Sequence, residues 1–187
     1  LILVKGRLKW WLLSATILSI LLAWGHNFMW FSNLFLDYFP GYNKFRTVSM
    51  ILVIAEFTMP LLGILALVKI IEGEVELKEF KKAMIWALGI TGGLSLAFGV
   101  FARAFSYQGP NDERYFGKGY EVLLEALQAD RQSMLQTDAF RSLFFIIVAA
   151  VLIWAAFNKK ISKKFIYPAF ILLFIIDMWP VNKRYLS

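Results

Sequence analysis

The chain has 187 residues, of which 59% are hydrophobic and 17% aromatic, and its formal net charge is +7. A soluble domain is nearer half apolar, so these long apolar runs indicate an integral membrane protein. The basic residues lie mainly in segments that flank the apolar runs, which favours membrane topology and lipid phosphate over nucleic acid as their explanation. The sequence contains no cysteine, one histidine and no HExxH spacing, so it predicts neither a metal site nor a cofactor.

The apolar runs predict an all-α, polytopic transmembrane bundle. The five predicted spans are Leu8–Trp24, Thr47–Ile70, Ala83–Phe105, Ala139–Phe157 and Phe165–Trp179. After the first span, Phe31–Phe39 predicts a short interfacial helix that ends at Pro40 and Gly41. Before the fourth span, apolar residues at helical spacing predict an amphipathic helix over Tyr120–Leu135, lying along the membrane surface.

The chain ends give an expectation about domain organisation. The sequence opens with Leu1 in place of Met, and its first four residues resemble the tail of an earlier apolar segment. We therefore expect residues 1–187 to form a single transmembrane region, the C-terminal part of a larger membrane domain.

The basic residues predict an orientation. One side of the predicted topology packs its lysines and arginines into short segments, which favours the cytoplasm for that side. These residues are Lys5, Arg7, Lys9, Lys69, Lys78, Lys81, Lys82, Lys159, Lys160, Lys163 and Lys164. Residues near 26–46 and 106–137 and the C-terminus are then extracytoplasmic.

Charged residues lie inside or beside the predicted spans. Glu56, Arg103 and Asp177 lie within a run or at its edge, and Asp138 and Arg141 stand three residues apart at the start of the fourth span. An ionisable side chain at bilayer depth is costly unless it is paired or hydrated, so each is a candidate for function. A structural interpretation stays open for each: Glu56 can fix helix packing, Asp138 and Arg141 can form a structural pair, and Asp177 can reach water.

A second set of polar residues lies on the predicted outer face. Its members are His26, Asp37, Tyr42, Asn43, Lys44 and Arg46. The predicted lipid-phosphate or substrate binding site consists of His26, Lys44, Arg46, Arg103 and Arg141, and a possible polar site consists of Asp37, Tyr42, Asn43, Glu56, Asp138 and Asp177. Arginine binds phosphate through a planar fork and lysine as a point charge, so Lys44 and Arg46 fit a lipid phosphate headgroup. The alternatives are that these two cations only anchor a helix end and that His26 is an interfacial hydrogen-bonding residue.

Three stretches carry a resemblance to a known family. Phe39–Met50, with the letters FPGYNKFRTVSM, resembles the hallmark of the bacterial YfhO-like membrane proteins. Residues 129–131 with 138–142, and the closing Asp177–Leu186, are similar to members of the Bacteroidetes type. The family resembles GT-C-class glycosyltransferases, which take sugar from polyprenyl phosphate at the outer membrane face. The resemblance implies an extracytoplasmic domain after residue 187 and an acidic catalytic residue in a loop before Leu1.

These observations predict a glycosyltransferase-like protein of the bacterial cytoplasmic membrane that modifies a cell-envelope polymer or lipid. Its partners would be membrane lipid and a polyprenyl-phosphate-linked sugar, with Lys44, Arg46, Arg103 and Arg141 holding the donor phosphate. His26 or Asp37 would contact sugar or acceptor, and no residue of the chain is named as catalytic. Two alternatives remain: a transporter or flippase with Glu56 on its path, and a structural membrane protein in which every buried charge is paired.

Overall fold

The computed structural model describes residues 2–39, 48–109, 112 and 119–186. Within these ranges all regular secondary structure is helical and no strand occurs, which confirms the all-α prediction. Helices satisfy their own backbone hydrogen bonds, as a segment surrounded by hydrocarbon must.

The described helices fit a multi-pass membrane protein. Four are long and apolar enough to cross a membrane: Leu52–Glu72, Leu77–Val100, Glu121–Phe157 and Lys163–Lys183. A fifth candidate is the pair Arg7–Ala23 and Gly25–Tyr38, which is bent by 103°. The predicted number of spans therefore holds when the bent pair counts as one span.

The first compact unit covers Leu1–Glu79, and its described residues include α1 (Arg7–Ala23), α2 (Met29–Tyr38) and α3 (Leu52–Glu72). Helix α1 packs against α3 through small side chains. The hydroxyls of Thr16 and Thr58 lie 2.6 Å apart, buried, with Ser19 and Ala55 buried on the same two helices. Small residues let transmembrane helices approach closely, and the hydroxyl pair joins them by a hydrogen bond.

Helix α4 (Leu77–Ala87) crosses into the second unit, Phe80–Ser187, which also contains α5 (Gly93–Val100), α6 (Glu121–Phe157) and α7 (Lys163–Leu186). A π-helical turn, Leu88–Gly92, joins α4 to α5.

Glycines let the α4–α5 span approach α6. A Cβ at Gly99 would lie 3.1 Å from the ring of Phe140, and one at Gly92 would lie 3.8 Å from Leu143. These two glycines are packing residues, because a small side chain lets the helices approach closely. Gly89 and Gly93 have open space beside them, so the packing role does not extend to them.

The structure differs from prediction between residues 120 and 157. The sequence predicts a surface helix followed by a separate span, but the structure has one continuous α6 of 37 residues. At ~1.5 Å per residue such a helix is about 55 Å long, whereas the hydrocarbon layer is about 30 Å thick. The helical prediction for Tyr120–Leu135 is confirmed, but this segment extends the span rather than forming a second element. Residues 136–138 include no glycine or proline that would break the helix.

Candidate functional site

The bend after α1 creates an aromatic segment that leaves the axis of the span at nearly a right angle. Gly25 has φ +46°, a left-handed conformation that suits glycine, and the 103° bend falls there. The Ser32 hydroxyl donates to the Gly25 carbonyl at 3.1 Å and fastens α2 back to the bend. If α1 crosses the membrane, α2 then lies close to the membrane plane, where an interfacial helix belongs.

The surface of this segment combines aromatic and polar side chains. A run of ring contacts links Trp24, Phe28, Phe31, Phe35 and Phe39 along it. Trp30 and Tyr38 are 73% and 82% exposed, which suits the interfacial belt that these residues prefer.

Two predicted site residues lie on this segment. His26 and Asp37 are both exposed there. The other predicted residues of this loop (Tyr42, Asn43, Lys44 and Arg46) lie outside the described residues.

A three-residue charge cluster joins α6 to α7. Arg141 donates from Nε and Nη2 to the Asp177 carboxylate at 3.2 and 2.9 Å, and from Nη2 to the Asp177 main-chain carbonyl at 3.2 Å. Asp138 lies one turn before Arg141, with 3.8 Å between its carboxylate and the guanidinium. The structure therefore brings together Asp138, Arg141 and Asp177, three of the predicted site residues.

A second arginine holds the segment that follows α5. Arg131 on α6 forms a bidentate pair with Asp112, at 2.5 and 3.0 Å, and donates to the Tyr107 carbonyl at 2.7 Å. The Arg131 guanidinium, together with the backbone N–H of Gly109, lowers the pKa of Asp112. The sequence gives no signal for this pair, because Arg131 lies on α6 and Asp112 stands 19 residues earlier, so no helical spacing relates them.

Glu56 and Arg103 lie in different units, and each is exposed. Glu56 is on the second turn of α3, and Arg103 is in a 3-10 turn, Ala102–Ala104, just after α5. Neither makes an ion pair with any residue that the structure describes.

The end of the first unit opposite the aromatic segment carries two ion pairs between lysine and glutamate. Lys5 contacts Glu79 at 2.7 Å, and Lys69 lies 3.5 Å from Glu74. The first pair places the start of α1 and the start of α4 at the same end of this unit, as alternating spans require. The cytoplasmic assignment of this end stays a prediction.

Comparison with family models, with curated proteins and with solved structures finds no match of any kind. Within the described ranges, no three His, Asp or Glu side chains are grouped so that they would hold a metal ion.

Proposed function

We propose that this chain is the membrane-embedded part of a glycosyltransferase that uses a polyprenyl-phosphate-linked sugar at the extracytoplasmic face of a bacterial cytoplasmic membrane. The observation that carries the proposal is the aromatic segment after α1. It exposes aromatic surface for a lipid and, beside it, the polar side chains of His26 and Asp37. The segment leads into the stretch that resembles the YfhO-like family, which supplies Lys44 and Arg46.

The chemistry assigned to these cations is electrostatic. In the transfer, the acceptor hydroxyl bonds to the anomeric carbon, the bond from that carbon to the donor phosphate oxygen breaks, and the acceptor proton passes to a base. Negative charge grows on the departing polyprenyl phosphate. Arg46 and Lys44 would bind that phosphate and stabilise its charge, because fixed cations in a water-poor site favour the transition state.

Arg141 fits this chemistry less well than the sequence suggests. Its Nε and Nη2 donors are directed at Asp177, and Asp138 lies beside it, so a donor phosphate would compete with carboxylates that already neutralise it. A structural role is favoured for this cluster. The proposed donor site therefore rests on Lys44 and Arg46.

The test is Arg46→Ala in the intact protein, with transfer from a radiolabelled polyprenyl-phosphate hexose measured in membranes. Loss of a transition-state donor lowers such a rate by about 100-fold or more, and we expect a loss of that order. Arg7→Ala is the matched control, because Arg7 is exposed at the opposite end of α1, and it should change the rate less than twofold. Unchanged transfer by Arg46→Ala would remove Arg46 from the site. Unchanged transfer combined with faster movement of the lipid between leaflets would favour the flippase alternative.

A further inference from the structure

Glu56 presents two unsatisfied acceptors on an exposed face of a membrane span. Its side chain makes no hydrogen bond or ion pair with the residues that the structure describes. Its main-chain carbonyl also lacks the usual helical donor, because that donor would be the N–H of residue 60, which is proline. The carboxylate and the free carbonyl therefore belong to the same residue of α3.

The depth of Glu56 makes this arrangement costly. At ~1.5 Å per residue, Glu56 lies about 20 Å along α3 from Lys69, whose ion pair with Glu74 belongs to the polar end of the helix. A hydrocarbon layer about 30 Å thick with one boundary at Lys69 would place the carboxylate about 10 Å inside the other boundary. Its short side chain does not reach the headgroups easily, unlike lysine or arginine.

The face around Glu56 is shaped for another helix. Val53, Glu56, Phe57, Pro60 and Ile64 are all exposed and form one stripe of α3, away from the buried Ala55 and Thr58 that meet α1. Gly63, next to this stripe, has open space beside it, so a neighbouring backbone can approach closely.

The same chain shows how such a pair of acceptors is satisfied. Arg141 donates to both the carboxylate and the main-chain carbonyl of Asp177. Arg131 likewise donates to a carboxylate, that of Asp112, and to a main-chain carbonyl, that of Tyr107. A guanidinium carries five N–H donors in a fixed fork, so one arginine serves both acceptors.

We propose that the Glu56 stripe docks a further transmembrane helix, distinct from α1–α7, that carries an arginine at the depth of Glu56. That guanidinium donates to the Glu56 carboxylate and to the carbonyl that Pro60 leaves free. A second copy of the chain, related by a two-fold axis through this stripe, would bring two Glu56 carboxylates together, and their repulsion disfavours a symmetric dimer.

The test is photo-crosslinking of the intact protein in its native membrane, with p-benzoylphenylalanine at Val53. The matched control is the same probe at Val151, since both are exposed valines of apolar spans (62% and 59%) and Val151 has no carboxylate within a turn. We expect Val53, but not Val151, to give an adduct with a transmembrane peptide that contains arginine. Glu56→Leu should lower that yield about tenfold, and replacing the identified arginine by leucine should do the same.

Several results would overturn the proposal. These are lipid adducts alone at both positions, an adduct with a second copy or with α1–α7, a partner helix without arginine, or a yield that Glu56→Leu leaves unchanged. A second probe at Phe57, on the same stripe, keeps the test decisive if the Val53 variant fails to accumulate.

Discussion

The α1–α3 pair of the first unit and the α6–α7 pair of the second unit associate through different chemistry. Thr16 and Thr58 join α1 to α3 with neutral hydroxyls, buried among small residues. Arg141 and Asp177 join α6 to α7 with opposite charges that stay half-exposed. Each hydroxyl has one proton, so one threonine donates across the interface and the other donates to its own helix. The Leu12 and Ile54 carbonyls lie 2.7 and 2.8 Å from the Thr16 and Thr58 hydroxyls, so a threonine that loses its partner still has an acceptor on its own helix. An arginine or aspartate that loses its partner keeps its charge, and the neutral backbone of its own helix does not balance that charge. We therefore expect substitutions at the Arg141–Asp177 ion pair to lower the free energy of unfolding more than substitutions at the threonine pair.

The largest loss of stability is expected when only one partner of the Arg141–Asp177 ion pair is replaced. Asp177→Leu leaves Arg141 without its main partner, and we expect a loss of about 2 kcal/mol in unfolding free energy, below the ~3–5 kcal/mol of a fully buried pair. Arg141→Leu should cost a similar amount, since it leaves two carboxylates close together. The double variant should cost at least ~1 kcal/mol less than the sum of the singles. SDS titration of the purified intact protein, followed by tryptophan fluorescence, measures all three, and additive losses would show that the pair does not join the helices.

A smaller loss of stability is expected when the hydrogen bond between Thr16 and Thr58 is removed. Thr58→Val removes one interhelical hydrogen bond, and such bonds in membrane proteins average about 0.6 kcal/mol. Thr16→Val combined with Thr58→Val should cost little more than either alone. Thr91→Val is the matched control, because the Thr91 hydroxyl is exposed and donates only to its own helix, at Ala87. An equal loss from Thr91→Val in the same titration would mean that the contact between α1 and α3 contributes nothing specific.

The helices were predictable from the sequence, because apolar runs of about 20 residues have few other uses. Partnerships were less predictable. Asp138 and Arg141 were expected to be near each other from their spacing alone, but Asp177 joins them from another helix. No pattern in the sequence predicted the pair of Asp112 with Arg131. A charge in a span shows that it needs a partner without showing which residue supplies it.

Boundaries were predicted least well where polarity and helix propensity disagree. The predicted amphipathic helix ends at Leu135 and the fourth predicted span begins at Ala139, so the polar residues Gln136, Thr137 and Asp138 fall between two predicted elements. The structure continues α6 through them, because Gln136 donates to the Gly99 carbonyl and Asp138 lies beside Arg141. Tertiary partners thus make a polar stretch compatible with an uninterrupted helix.

The smallest effect is expected at the Asp112–Arg131 ion pair, here called the clasp, because it restrains only the segment that follows α5. Because the folded pKa of Asp112 is lowered, the clasp contributes fully above the ordinary aspartate pKa of about 3.9 and is lost as pH falls through the lowered value. A spin label on Gln108→Cys, unique because the chain has no cysteine, should stay immobile from pH 7 to about pH 4 and become mobile below it. With Asp112→Asn added, the label should be mobile throughout. Mobility that does not change with pH or with this substitution would exclude the clasp as the restraint.

The proposed donor site requires the α5–α6 connection to lie outside the cytoplasm and the short α6–α7 turn to lie inside it. Single cysteines at Gln108 and Ser162, both exposed, report on the two ends of the second unit. In intact cells, a membrane-impermeant maleimide should label Gln108→Cys, while Ser162→Cys should react only after the cells are opened. The reverse pattern would place the Arg103 end of this unit in the cytosol and contradict transfer from a lipid-linked sugar at the outer face.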